Sequence, residues 1–391
     1  MLDTRREEAM DDRIKSRFLI PEGTYLLSHS VGCQPVGARA ALDEALFAPW
    51  ANRGGDAWPG WLATIEGFRC EVAALIGADP SGVCPQTNVS SAVAKIIHAL
   101  PQREGRRVLL LGHEDFPSIG FVLAEAARYG WETRFLPADA DPADLATWET
   151  ALGDDVQAAL VTHAFSNRSA LLPVRDIARA VRAAGATSIV DCVQTLGVLP
   201  VDVADWGADY VVGSSVKFLC GGPGAAFLWG SADAIAAARP VDTGWFSHEN
   251  PFEFDIHHFR MAGDALRFWG GTPSVAPFAL AAHAIAMLRE IGVDAIAEHN
   301  QALIDRLHDR WGSGHIRSAT ERGARGNAVL LAVHDPAAAL ATLRARAIYA
   351  DARQGAIRVA PHLYNDDADI DELCEALAAH HPRSAHVAAA V

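Results

Sequence analysis

The sequence is poor in lysine and carries no excess of positive charge. Only three of its 391 residues are lysines, and the formal net charge is −15 at pH 7. Proteins that grip nucleic acid or an anionic membrane do so through a broad basic surface, so the composition argues against both kinds of partner. We therefore expect a small molecule as the main partner.

Long apolar runs and ordered cysteine spacings are missing as well. Apolar stretches such as 279–288 are much shorter than the roughly 20 residues of a membrane span, and residues 1–15 have no apolar core like that of a signal peptide. The six cysteines form no CxxC pair, so we predict neither a disulfide framework nor a metal site. These features predict a cytoplasmic protein whose cysteines stay reduced, most of them in buried packing.

Short apolar runs alternate with helical patterns along the first two thirds of the chain. Strands are predicted at 107–111, 158–162, 188–190, 210–213 and 225–228, and helices at 120–129 and 174–184. This alternation predicts an α/β domain with a mostly parallel sheet and helices on both faces. Ligands of such sheets bind at the carboxyl ends of the strands.

The pattern changes near residue 276. A long helix at 276–307 is followed by a strand at 327–333, a helix at 336–346, a strand that includes 356–360 and a helix at 367–380. We interpret this part as a smaller α+β domain. The predicted organisation is a large domain at 45–275 and a small domain made of 1–44 and 276–391.

The scarcity of lysine draws attention to the three that are present. Lys15 and Lys95 lie in helical patterns, where a solvated surface role is the simpler interpretation. Lys217 ends the apolar run that starts at Tyr210 and precedes the glycine-rich segment 221–224. An amine at a buried strand end is either a nucleophile with a depressed pKa or a lysine that extends its charge to solvent.

Asp191 ends another apolar strand, 26 residues before Lys217. By itself it could be only the N-cap of the next helix. Together, an aspartate and a lysine at the same sheet edge suit pyridoxal phosphate. This cofactor needs a lysine for its Schiff base and a carboxylate beside the pyridinium nitrogen.

The segment 191–224 resembles the cofactor stretch of the fold-type I, class V aminotransferase superfamily, and within it the kynureninase-like branch, which is related to the cysteine desulfurases. The similarity continues, in the order of that family, at 25–32, 116–118, 244–248, 271–273 and 357–365. The resemblance implies a fold-type I pyridoxal-phosphate enzyme. It also implies an amino-acid substrate and a homodimer with shared active sites.

The resemblance also implies roles for individual residues. Lys217 would form the Schiff base, Asp191 would pair with the pyridine nitrogen, and Arg358 would hold the substrate α-carboxylate. Further cofactor contacts would come from Phe116 stacked on the ring, from Asn88, Val89, Ser90 and Ser214 around the phosphate, and from Gln194, Trp245 and Thr272, with Thr272 reaching across from the partner subunit. His29, His163 and His248 are candidate acids or bases, and His29 is also a candidate substrate contact.

The chain departs from kynureninases at three positions of this pattern. Val216 stands where they have a tyrosine, Ile119 where they have an aspartate, and Gln194 where they have a histidine. Two of these changes remove a polar group, which puts hydrolysis of kynurenine itself in doubt. A cysteine desulfurase would need a nucleophilic cysteine shortly before Arg358, and residues 347–358 contain none.

The sequence therefore predicts a kynureninase-like lyase or hydrolase that cleaves a C–C or C–S bond at the β-position of an L-amino acid in specialised metabolism. The alternative is a class V aminotransferase or a decarboxylating deaminase. A cysteine desulfurase and a non-catalytic pyridoxal-phosphate-binding protein are weaker alternatives. An NAD-dependent enzyme lacks support, because no G-x-G-x-x-G follows an early strand.

Overall fold

The computed structural model describes residues 13–382, which contain a large seven-stranded sheet, a small three-stranded sheet and two pairs of short strands. The strands are β1 Phe18–Leu19, β2 Thr24–Tyr25, β3 Gln34–Pro35, β4 Val83–Gln86, β5 Val108–Leu111, β6 Glu132–Phe135, β7 Val156–Thr162, β8 Thr187–Asp191, β9 Tyr210–Ser214, β10 Ala226–Gly230, β11 Val329–Ala332, β12 Ile348–Tyr349, β13 Asp351–Arg353 and β14 Ala356–Val359. The two short pairs are β1 with β3 and β2 with β12. The α-helices are α1 Ala38–Leu42, α2 Ala48–Arg53, α3 Trp58–Leu75, α4 Val89–Ala99, α5 Pro117–Ala126, α6 Leu145–Ala151, α7 Val174–Ala183, α8 Val203–Trp206, α9 Ala232–Ala237, α10 Ala276–Ile291, α11 Val293–Trp311, α12 Pro336–Ala345 and α13 Asp367–Leu377.

The large sheet has seven strands in the order β4-β10-β9-β8-β7-β5-β6. Only β10 runs antiparallel to its neighbours, so the other six strands end at the same edge. This confirms the predicted mostly parallel sheet and its five predicted strands. The prediction missed β4, which contains a proline, and β6, whose residues are largely polar.

Helices cover both faces of this sheet, which explains the continuous apolar runs of its strands. In β5, Val108 and Leu110 join one apolar cluster, whereas Leu109 and Leu111 join a second cluster on the opposite face. Successive side chains of a strand point to opposite faces, so a strand between two helical layers must be apolar at every position. The carboxyl edge then remains as the open place for polar side chains.

The small sheet is antiparallel, in the order β11-β14-β13. A third apolar cluster beneath it combines α11, α13 and the N-terminal Leu26, and β2 pairs in parallel with β12. The N-terminal segment is thus attached to the C-terminal part of the chain. The domain limits given above stay a prediction, and their outermost residues, 1–12 and 383–391, lie outside the described residues.

The predicted single helix at 276–307 is wrong. Helix α10 ends at Ile291 and α11 begins at Val293, with a bend of 79° between them. Gly292 adopts φ +96°, a left-handed conformation that glycine adopts readily and that interrupts the helix. No single helix among residues 13–382 is long and apolar enough to cross a bilayer; only this bent pair, taken together, meets the length and composition criteria.

The helix predicted at 120–129 has its start displaced. It begins three residues earlier, at Pro117, because proline is well suited to the first helical position. Its last predicted residues, Ala127–Tyr129, form a 3-10 turn. The helix therefore begins immediately after Phe116, which becomes its N-cap.

Candidate active site

A cavity of about 220 Å³ lies at the carboxyl edge of the large sheet. Its walls come from the ends of β7, β8 and β9 and from the segments that follow β4 and β5. The residues that line it are Asn88, Val89, Ser90, Phe116, Ser118, Ile119, Thr162, Ala164, Ser166, Asp191, Val193, Gln194, Ser214, Val216 and Lys217. The structure thus brings together eight of the fourteen candidate residues named from the sequence.

Lys217 lies in the turn that follows β9. Its Nζ is 5.4 Å from the centroid of the Phe116 ring and donates to no acceptor among residues 13–382. Burial lowers the pKa of this amine to about 8, with Asp191 opposing the effect and Arg358 adding to it. The amine is therefore unpaired and more easily deprotonated than an ordinary lysine.

The backbone around Lys217 is held by close packing against the N-terminal segment. Gly32 N–H donates to the carbonyl of Val216 at 2.9 Å. A Cβ on Gly32 would lie 2.2 Å from the Lys217 carbonyl oxygen, so only glycine fits there. On the other side, Ser215 Oγ donates to the carbonyls of Gly222 and Ala225. These contacts fix the position from which the lysine side chain enters the cavity.

Asp191 is the last residue of β8 and faces the same cavity. Its Oδ1 accepts a hydrogen bond from Val193 N–H at 2.8 Å, and no donor among residues 13–382 reaches Oδ2. Burial raises the pKa of Asp191, against the lowering effects of the Val193 hydrogen bond and the Lys217 charge. One carboxylate oxygen is thus free to meet a cationic or N–H group in the cavity.

The start of α4 forms the third wall. Asn88 is its N-cap, and its Oδ1 accepts from Ser91 N–H at 2.8 Å. The N–H groups of Val89 and Ser90 lie in the first turn, where a helix has no carbonyl four residues earlier to bond. Exposed N–H groups and the positive end of the helix dipole favour an anion, and phosphate in particular. Ser90 and Ser214 add hydroxyl groups to the same cavity.

Asp115, which the sequence interpretation missed, lies next to the cavity. Its carboxylate accepts from Thr162 Oγ1 at 2.5 Å and from Gly112 N–H at 2.7 Å. Burial raises its pKa to about 7. Thr162 itself lines the cavity beside Asp191, so Asp115 orients a hydroxyl of the wall. The signal in the sequence was weak, namely an aspartate directly before the motif at 116–118.

None of the three candidate histidines lines the cavity, and two of them point away from it. His163 follows Thr162 and points to the other face of the sheet, where its Nδ1 lies 2.8 Å from Thr195 Oγ1 and its ring packs edge-on against Trp206. The ring nitrogens of His248 approach two backbone carbonyls of a surface loop. These geometries oppose the acid–base roles considered for both residues, because alternation along the strand and loop packing turn the rings away.

Trp245 and Thr272 also lie outside the cavity of their own chain. The Trp245 ring packs in an aromatic cluster with Trp58, Phe246, Phe252 and Phe254. The predicted contacts of Trp245 and Thr272 with the cofactor therefore stay predictions. Within one chain, neither residue lies where it could make such a contact. Among residues 13–382, no three His, Cys, Asp or Glu side chains gather in a way that could hold a metal ion.

Arg358 and His29 stand behind the cavity wall and are nearly completely buried. Arg358 Nη1 donates to the carbonyl of Ser166, a lining residue. Gln194, which also lines the cavity, approaches the carbonyl of His29 with its Nε2 at 3.4 Å. Arg358 and His29 are thus each connected to the cavity through one contact with a lining residue. Both lie close to a further carboxylate, Asp351.

The cavity offers each group that pyridoxal phosphate requires. The Phe116 face can stack on a flat ring, Lys217 supplies a free amine, Asp191 a free carboxylate oxygen, and the start of α4 an anion site. The unpaired Lys217 Nζ, which lies over the Phe116 ring, is the observation that best fits this cofactor. Fold and site together define a pyridoxal-phosphate-dependent enzyme of fold type I.

Comparison with known proteins gives the family. The model of the aminotransferase class-V family matches residues 61–373, and the chain belongs to this family. It is 27% identical over 355 residues to the uncharacterized aminotransferase YcbU of Bacillus subtilis, covering 90% of this chain and 92% of that protein. It is 29% identical over 318 residues to a kynureninase of Deinococcus radiodurans, covering 78% and 76% of the two chains.

Solved structures agree on the fold. The apo cysteine desulfurase of Thermococcus onnurineus superimposes with a TM-score of 0.83 at 18% identity, covering 94% of this chain and 96% of that one. The cystine C–S lyase C-DES, in complex with its product cysteine persulfide, superimposes with a TM-score of 0.83 at 22% identity, covering 92% and 98%. At these identities the likeness establishes the fold and leaves the reaction open.

Proposed function

We propose that this enzyme cleaves a bond at the β-position of an L-amino acid, with Lys217 as its Schiff-base residue. The arrangement that carries the proposal is the free Lys217 amine over the Phe116 ring with Asp191 in the same cavity. Pyridoxal phosphate, when bound, supplies an aldehyde that condenses with amines and a ring that withdraws electrons from Cα. With the cofactor bound, Lys217 Nζ would be the group placed to move a proton at Cα, and Asp191 would hold a proton at the ring nitrogen.

The lining of the cavity favours a C–S bond over a C–C bond. Among residues 13–382, Lys217 and Asp191 are the only ionisable side chains that line it, and Ile119 and Val216 occupy positions where kynureninases have polar residues. Hydrolysis of a C–C bond requires a further group that activates water and delivers a proton. A thiol has an ordinary pKa of about 8.5, so it can leave as a thiolate with little help from an acid.

Persulfide chemistry of the cysteine desulfurase kind is not supported by the cysteines. Residues 347–358 contain none, and Cys374 lies buried in α13. Burial raises the pKa of its thiol to about 11, so the reactive thiolate is scarce at neutral pH. Cys70, the exposed cysteine among residues 13–382, also has a raised pKa and lies in α3.

Analysis of the products tests the proposal. The holoenzyme is expected to convert one or more S-substituted L-cysteines into thiol, pyruvate and ammonia in equal amounts, and Lys217→Arg is expected to form none. An aminotransferase, which is the second candidate because of the similarity to YcbU, would instead consume a keto acid and release no thiol. Transfer of the amino group without thiol release would therefore contradict β-cleavage.

We also infer a homodimer in which each subunit completes the site of the other. Trp245 and Thr272 lie outside the cavity of their own chain, and the Trp245 ring contacts Phe252 and Phe254, which are exposed to solvent together with Ile256. A contiguous apolar surface of this kind is typical of an interface. Light scattering is expected to give twice the chain mass of 41.7 kDa; a monomer that binds the cofactor fully would contradict the shared site.

A further inference from the structure

The guanidinium of Arg358 is already engaged by a carboxylate of its own chain. Its Nε donates to Asp351 Oδ1 at 2.9 Å and its Nη2 to Asp351 Oδ2 at 2.5 Å. This is the two-bond geometry in which an arginine holds a carboxylate. The remaining nitrogen, Nη1, donates to the Ser166 carbonyl. The arginine expected to bind the substrate therefore has a hydrogen-bond partner at each of its three nitrogens.

A tight hairpin produces this pair. Asp351 on β13 and Arg358 on β14 are direct cross-strand partners. The two residues of the turn, Gln354 and Gly355, have φ +48° and +72°, as in the two-residue turns that join twisted antiparallel strands. Such a turn fixes the register, so the two side chains must face each other.

The two members of the pair differ in their freedom to move. The Arg358 side chain is 5% exposed, whereas that of Asp351 is 32% exposed. Rotation of Asp351 can take its carboxylate toward solvent, but Arg358 stays confined by Ser166 and its surroundings. Asp351, and not Arg358, is thus the member of the pair that is free to move away.

The neighbouring groups keep Asp351 ionised. Burial alone would raise its pKa, but the nearby His29 and Arg358 hold it well below the ordinary value of aspartate. His29 Nε2 lies 3.3 Å from Asp351 Oδ1. Burial lowers the pKa of His29 to about 4, so the ring is neutral at working pH. Arg358 is therefore the cation that holds Asp351 in its resting position.

We propose that Asp351 occupies the carboxylate site of Arg358 in the resting enzyme, and that an amino-acid substrate binds by displacing it. The proposal rests on the proposed function, because it takes Arg358 as the residue that binds the α-carboxylate. Two carboxylates beside one guanidinium would repel each other, which favours displacement over sharing. Part of the substrate's binding free energy is then spent on breaking the internal pair.

The test measures the binding of propionate, which has a carboxylate but no amine to react with the cofactor. Calorimetric titration of the holoenzyme is expected to show at least about fivefold tighter binding by Asp351→Asn than by the wild type. Asparagine keeps the size of the side chain and removes its charge. In the double variant Asp351→Asn, Arg358→Gln the gain is expected to disappear, because it acts through the guanidinium.

Propionamide, which has the size of propionate but neither a negative charge nor an amine that condenses with an aldehyde, serves as the matched control and is expected to gain much less than propionate from Asp351→Asn. If Asp351→Asn binds propionate no more tightly than the wild type, including the case in which neither binds measurably, the displacement proposal is overturned. Asp351 would then be a residue that only positions Arg358. The visible absorbance of the bound cofactor, recorded on the same samples, reports separately whether the proposed cofactor site itself exists.

Discussion

Replacement of Lys217 by arginine is expected to remove the visible absorbance band of the lysine-bound cofactor and to lower turnover by more than about a thousandfold. Arginine keeps the positive charge but stays protonated at every working pH, so it cannot condense with an aldehyde. Absorbance spectra before and after borohydride reduction, with steady-state rates, measure both effects.

The scarcity of lysine makes this experiment unusually clear. After borohydride reduction, the wild-type label can reside on Lys15, Lys95, Lys217 or the N-terminal amine, and peptide mapping distinguishes them. Lys15→Arg is the matched control, because Lys15 forms a surface ion pair with Asp366 that arginine can also make. A label on another lysine, or a band that persists in Lys217→Arg, would refute the assignment.

The change Asp191→Asn is expected to weaken cofactor binding by roughly a hundredfold or more, since removal of one partner from a buried charge pair costs about 3–5 kcal/mol. Asparagine can still accept a hydrogen bond from Val193 N–H, so the loss reflects the charge. Titration of the apoenzyme with pyridoxal phosphate gives the dissociation constants. Asp115→Asn changes a buried carboxyl beside Thr162 and serves as the control, with a much smaller expected effect.

The variant Asp191→Asn is also expected to shift the pH dependence of cofactor uptake. Only the unprotonated Lys217 amine reacts, and burial lowers its pKa to about 8, so the rate in the wild type should rise with pH and level off above pH 8. Asp191 stabilises the ammonium form and thereby raises this pKa. Loss of the Asp191 charge should move the midpoint of the uptake rate to lower pH. A midpoint that moves upward in Asp191→Asn would contradict the proximity of Asp191 to Lys217.

Much of the fold and part of the site were predictable because the signals are local. The apolar runs that end at Asp191 and Ser214 predicted neighbouring strands, and parallel strands of one sheet end at one edge. The order of the family motifs along the chain extended the predicted site to Phe116 and the start of α4. The prediction of a single helix at 276–307 failed because one glycine inside an apolar pattern carries little weight in sequence, although its backbone conformation ends a helix.

Other features depend on contacts between distant segments. Whether His163 or Thr162 faces the cavity depends on which face of β7 the cavity occupies, and local alternation does not give that answer. Asp351 was overlooked because an aspartate seven residues before Arg358 has no meaning until the hairpin register pairs the two. The places of Trp245 and Thr272 outside the cavity follow from the path of a long loop.

The amino-acid sequence alone thus specifies which groups are available for chemistry, a single lysine at a strand end and an aspartate on the adjacent strand, because strand period and strand direction are encoded locally. Tertiary structure decides what each group meets. Among residues 13–382 it leaves the Lys217 amine and one Asp191 oxygen without hydrogen-bond partners, and it pairs the Arg358 guanidinium with Asp351. Hydrogen-bond partners come from segments far apart in the chain, so their pairing exists only once the chain has folded.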